Sequence, residues 1–161
     1  MNNNDCLRRI RYILDFSDSN MIDVFAQANQ TVTRAEVSAW LKKDEDADFV
    51  ECPDIMFATF LNGLINAKRG KKDGAQAEPE KRLNNNIIFA KLKIAFNLQA
   101  DEILSILALA DLHISKHELS AFFRRPDHKH YRKCQDQILR NFLKGLQLRY
   151  RQEMEPDELF Q

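Results

Sequence analysis

When the chain is slid against itself by 82 positions, two stretches of about 70 residues fall into register without a gap. Asn2-Asn3-Asn4 lies over Asn84-Asn85-Asn86, and the register holds to Arg69 over Arg151. Identities along this diagonal include Ala26/Ala108, Glu36/Glu118, Ser38/Ser120, Cys52/Cys134, Asp54/Asp136, Phe60/Phe142 and Gly63/Gly145. Self-similarity at a fixed period is the signature of a duplicated structural unit. The chain is therefore expected to hold a first module at 1–69, a flexible linker at 70–82, a second module at 83–151 and an acidic tail at 152–161. Between the modules, Gly70 to Glu80 offers no large apolar side chain to a core.

Each module reads as four helices. Four Gly and four Pro lie mostly outside the apolar stretches, so the hairpin turns of a sheet protein lack their residues. The expected fold is all-α, two tandem four-helix modules with a helix-turn-helix-like element in each. Helix one, from about Asn4 to Phe16, turns Leu7, Ile10 and Leu14 inward, matched by Phe89, Leu92 and Phe96. Helix two follows Ser17-Asp18 and carries Met21, Ile22, Val24, Phe25 and Ala28. Helix three opens on Thr33-Arg34-Ala35-Glu36 or Ser115-Lys116-His117-Glu118, both capping boxes, with Val32/Val37 and Ile114/Leu119 as staples. It buries Val37, Trp40 and Leu41, or Leu119, Phe122 and Phe123, and ends in an exposed basic pair, Lys42-Lys43 or Arg124-Arg125, suited to the negative end of the helix dipole. Helix four starts at Pro53 or Gln135 and contains Gly63 or Gly145. Since a mid-helix glycine costs about 1 kcal/mol against alanine, its presence in both modules predicts a second helix in close approach.

The quoted residues carry a family resemblance, above all the asparagine openings, Trp40-Leu41-Lys42-Lys43, Phe49-Val50-Glu51-Cys52 and Phe60-Leu61-Asn62-Gly63-Leu64. They resemble the YehS family of small bacterial proteins, two copies of a domain of unknown function (DUF1456). The resemblance spans nearly the whole chain and implies the tandem architecture and a bacterial cytosol. It brings no reaction, cofactor or site residue.

Formal charge sums to zero but is unevenly spread. Residues 1–80 carry ten basic and fourteen acidic side chains, residues 81–151 fourteen and six, and residues 152–161 none and four. Such a gradient steers an anionic partner to one face or favours head-to-tail self-association. The candidate polyanion-binding residues are Lys116, Ser120, Arg124, Arg125, Arg132, Lys133, Arg140 and Lys144, joined by Lys129. Met21 to Lys43 also resembles the helix-turn-helix of DNA-binding proteins, which would turn Arg34, Ser38 and Lys42, or their second-module counterparts, toward bases or phosphates. The turn is long for that motif, its usual glycine is missing, and in the first module Asp44-Glu45-Asp46 would repel phosphate.

Other candidates have plain structural explanations. Cys6, Cys52 and Cys134 lack CxxC spacing, so neither a disulfide scaffold nor a zinc knuckle is expected. Cys52 and Cys134 sit near helix starts, where a dipole activates a thiol, but no histidine shares their repeat; small packed side chains are expected. His128-Lys129-His130 with Cys134 lacks a paired ligand motif and reads as a solvated loop. Asp54 and Asp136 suit the first turn of a helix. One asparagine of each triplet caps helix one, leaving the other amides free to serve an interface. No phosphate loop, nucleophile elbow or metal-binding helix is present. No apolar run approaches the roughly 20 residues of a bilayer crossing, and the polar opening lacks a secretory core. The expectation is a cytoplasmic, non-catalytic interaction or regulatory protein without a cofactor. Its partner would be another protein or its own copy, with nucleic acid as the alternative.

Overall fold

The apolar spacing does produce helices. The computed structural model describes residues 1–153, and every regular element among them is α-helical. The first repeat forms α1 (Asn3–Leu14), α2 (Asp18–Gln27), α3 (Arg34–Trp40) and α4 (Asp54–Arg69). The second forms α5 (Asn85–Ala95), α6 (Ala100–Leu109), α7 (Lys116–Ala121) and α8 (Asp136–Glu153). Most of the acidic tail expected at 152–161 lies outside the described residues.

Local chemistry repeats with the sequence. Asn2 caps α1 by accepting from the Asp5 amide at 2.8 Å, and Asn84 accepts from the Ile87 amide at 2.9 Å. The capping boxes of helix three form in both repeats: Thr33 Oγ1 accepts from the Glu36 amide at 3.1 Å, and Ser115 Oγ from the Glu118 amide at 3.0 Å. The helix ends repeat too. Asp15 and Asn97 both have φ 54°, while Asn29 and Asp111 have φ 59° and 60°. These are left-handed positions, which Asn and Asp tolerate better than other side chains that carry a Cβ.

Two compact units result. The first, Met1–Asn97, holds α1 to α5. Its core is built on α2, α3 and α4, where the Phe25 ring lies 5.6 Å from Trp40 and 5.3 Å from Phe60. The second begins at Leu98 and packs α6 against α7 and α8, with Ile103, Ile106, Leu107, Leu119, Leu139, Phe142, Leu143 and Leu146 buried. The sequence repeat divides near residue 82, whereas the compact units divide after Asn97, because α5 packs along α4.

Residues 70–82, read as a linker from composition, are hydrogen-bonded to the first unit. Asn66 Nδ2 donates to Gln76 Oε1 at 3.1 Å, and just past the segment Asp54 Oδ2 accepts from the Leu83 backbone N–H at 2.8 Å. Lys91 on α5 reaches Glu80 at 2.9 Å. Polar composition conceals these tethers, since their partners lie on α4 and α5.

A few inward residues differ from expectation. α1 ends at Leu14, which is half-buried, and Ile13 and Cys6 fill the core beside Leu7 and Ile10. Helix α7 ends at Ala121, so Phe122 and Phe123 are half-buried and Arg124-Arg125 lie beyond its last turn. There they cannot serve the helix dipole, which acts within the terminal turn.

The repeated glycines mark helix crossings. A methyl group on Gly63 would overlap the carbonyl oxygen of Val24 on α2, and one on Gly145 would overlap that of Ile106 on α6. Backbone cannot yield as a side-chain tip does. Gly63→Ala is therefore expected to destabilise the first unit by about 1–3 kcal/mol through overpacking, despite the better helix propensity of alanine. Denaturant melts will check this; a stabilised variant would show that the helices do not touch at Gly63.

Candidate interaction surface

The segment between helix three and helix four is built the same way in both units. In the first, the Asp46 amide donates to Lys43 O at 2.9 Å, Phe49 to Asp46 O at 3.1 Å, and Val50 to Ala39 O at 3.2 Å. In the second, His128 donates to Arg125 O at 2.9 Å, Tyr131 to His128 O at 3.0 Å, and Arg132 to Ala121 O at 3.1 Å. Even the side-chain turn is matched: Asp48 N donates to Asp46 Oδ1 at 2.8 Å, and His130 N to His128 Nδ1 at 3.0 Å.

In the first unit a buried asparagine holds this loop. Asn4 is fully buried; its Nδ2 donates to the carbonyls of Trp40 and Val50, both at 2.9 Å, and its Oδ1 accepts from the Cys52 amide at 3.0 Å. Asn3 donates to Cys52 O at 3.0 Å and Asp54 Oδ1 at 2.7 Å. The triplet is thus absorbed inside the unit: Asn2 caps, while Asn3 and Asn4 tie helix one to the loop and to α4. Asp54 also does more than face a helix dipole, since it binds Asn3 and the Leu83 amide.

On the shared backbone the side chains have opposite charge. Residues 44–51 carry Asp44, Glu45, Asp46, Asp48 and Glu51 and no cation. The equivalent 126–133 carries Lys129, Arg132 and Lys133 against Asp127, with His128 and His130. None of the five first-unit acids forms an ion pair among the described residues. Beside them lies a groove of about 470 Å³ lined by Ala35, Glu36, Ala39, Trp40, Val50, Glu51 and Pro53. Val50 is 51% exposed at its edge.

The candidate residues of the second unit fall on three segments. Arg124, Arg125, Arg132 and Lys133 belong to the loop, with Arg125 3.1 Å from Asp127. Lys116 and Ser120 lie on α7; Lys116 is 3.6 Å from Asp101, and Ser120 Oγ donates to His117 O at 2.8 Å. Arg140 and Lys144 are exposed one turn apart on α8, with Arg140 3.4 Å from Gln137 Oε1. A histidine cluster joins loop to helix: the His117 ring is 6.3 Å from His130, which is 5.5 Å from His128. Among the described residues no group of three or more His, Cys, Asp or Glu is arranged to hold a metal ion. Motif-by-motif reading found His128 and His130 but overlooked the groove and the approach of His117 to His130. Tallying charge loop against loop along the 82-residue diagonal would have shown the inversion.

The duplicated thiols are sealed. Cys52 and Cys134 are buried, and burial first, then the charge of Asp54 or Asp136, pushes each thiol up to about 12. Burial overrides the helix start, which would favour the thiolate.

Two expectations follow. Asn4→Ala leaves the Cys52 amide and two carbonyls without this partner inside the unit and should cost about 2–4 kcal/mol in denaturant titrations; a change below 1 kcal/mol would remove Asn4 as the loop's anchor. All three cysteines should react with a thiol reagent only as fast as the protein unfolds. Because the folded thiols of Cys52 and Cys134 keep their protons up to about 12 while unfolded ones ionise near 9.0, they leave stability unchanged below about pH 8 and erode it at higher pH. Prompt labelling of Cys52 or Cys134 in native protein at neutral pH would contradict this.

The family model described as "Protein of unknown function (DUF1456)" matches the chain twice, at residues 3–70 and 85–152. The chain is 47% identical over 150 residues to "Uncharacterized protein YehS" of Escherichia coli (strain K12), covering 92% of this chain and 96% of that protein. No solved structure matches it. With both repeats matched and near-complete coverage by a close relative, the chain belongs to the DUF1456 family as a tandem two-copy member.

Proposed function

We propose that the protein is a non-catalytic helical interaction module of the bacterial cytosol that presents an acidic and a basic version of one surface. The supporting observation is the loop between helix three and helix four, whose backbone bonding is shared by the two units while its charge is reversed. Duplicated polar residues such as Asn4, Asp54 and the cap residues serve packing in the first unit, and the duplicated thiols are buried and protonated. What differs between the copies is exposed charge, the property that selects partners and sets encounter rates. No described helix is long and apolar enough to cross a membrane.

The alternative is nucleic-acid binding through the second unit, favoured by the exposed cations on its loop and on α8. Its α7 has six residues and follows a six-residue connection, 110–115, from α6. Contacts would come from that helix start and the loop together, mostly to phosphate.

Light scattering and pull-down with the full chain test the first reading. Complex formation should weaken steeply as salt rises past about 0.15 M, where the Debye length falls to about 8 Å; a strict monomer that retains no partner at low salt would overturn it. For the alternative, Arg124→Glu with Arg125→Glu should abolish a gel shift and flatten its salt dependence. An unchanged shift would remove the loop from the binding site.

A further inference from the structure

Glu36, Ala39 and the aromatic Trp40 of the groove recur in the second unit as Glu118, Ala121 and Phe122, but the other four lining positions change. Along the 82-residue register Ala35 becomes His117, Val50 becomes Arg132, Glu51 becomes Lys133 and Pro53 becomes Gln135. One unit therefore presents a concave apolar floor with carboxylates at its rim, and the other presents long cations at the same backbone positions. From this complementarity we propose that the groove receives the basic loop, residues 124–133, of a second copy of this chain.

Glu36 and Glu51 would meet Arg132 and Lys133, whose aliphatic stems cover Val50, Ala39 and Pro53 while their heads stay at the wet edge. The capping bond occupies Glu36 Oε1, which accepts from the Thr33 amide at 2.9 Å, and leaves Oε2 to face the incoming cation. The neighbouring acids Asp44, Glu45, Asp46 and Asp48 add attraction toward Arg124, Arg125 and Lys129. These acids now repel one another without an ion-pair partner among the described residues. Apolar surface alone would accept many partners, and charge alone would bind loosely; the two together on one side select a cationic loop with long stems.

The contact is heterologous. Different patches meet, so each chain offers one groove and one loop, and association grows head to tail unless the rotation closes a ring. This distinguishes the proposal from a two-fold dimer, in which each patch meets itself.

The inference rests on the interaction-module reading, and its test separates the two. Sedimentation and light scattering of the full chain should show mass rising with concentration above 18.8 kDa at low salt and returning to that value at high salt. The variant Val50→Arg with Glu51→Lys copies residues that the second unit already carries on the same backbone, and Arg132→Val with Lys133→Glu does the converse. Each variant, with melting unchanged, should stay a single chain, having lost one of its two surfaces. Mixed in equal amounts they retain one intact groove and one intact loop, so the mixture should regain the association that neither variant shows alone. Wild-type chain that stays single at every concentration and salt overturns the proposal, as do variants that assemble like wild type. If wild type stays single yet captures a different protein through the groove, self-pairing fails while the interaction reading survives.

Discussion

The close crossing at Gly63 and Gly145 governs how each unit is assembled. With hydrogen in place of a side chain, α4 settles against the backbone of α2 at Val24, and α8 against α6 at Ile106. At that separation the flanking residues of α4 meet the other helices directly, and Phe57, Phe60, Leu61 and Leu64 are fully enclosed. The Phe25 ring then bridges Phe60 and Trp40, which connects the crossing to helix three. Interiors packed to crystal density leave no slack for an added methyl, so the glycine sets the distance and the aromatic residues fill what remains.

Beyond the crossing, polar bonds decide the loop. Trp40, Val50 and Cys52 are far apart in sequence from Asn4, and a single amide joins all three. A buried amide with every bond made specifies one arrangement more sharply than an apolar side chain of similar size, because any displaced loop would leave donors and acceptors unmet. Burial of Cys52 beside this anchor follows from the same arrangement, and the helix start at Asp54 is held to α1 through Asn3.

Much of this was legible from residues alone where the signal is local or periodic. The duplication, the all-helical class, the Thr33 and Ser115 caps and the meaning of Gly63 all depend on spacings within a few residues or on the 82-residue register. What escaped depended on contacts across long separations. The amides of Asn3 and Asn4 looked available to an interface because their partners lie between 36 and 51 residues away. Ile13 took the inward place expected of Leu14 because the buried stripe of α1 runs Leu7, Ile10, Ile13 at three-residue spacing. The 70–82 segment looked unattached because polar tethers leave no apolar trace. As for the surface, its cations were visible singly, but the groove in which Trp40, Val50 and Pro53 meet exists only after folding.

The pinned loop has one more consequence. Since Asn4 and the Ala39 carbonyl grip only main-chain atoms, the outward side chains of residues 44–51 carry little duty in keeping the loop's shape, apart from the Asp46 turn bond that His128 reproduces in the second unit. Such a segment can be rewritten without refolding its frame, much as a type slug is changed in a fixed forme. A gene duplication in this family would thereby yield two presentation sites whose lettering drifts independently while the press stays the same.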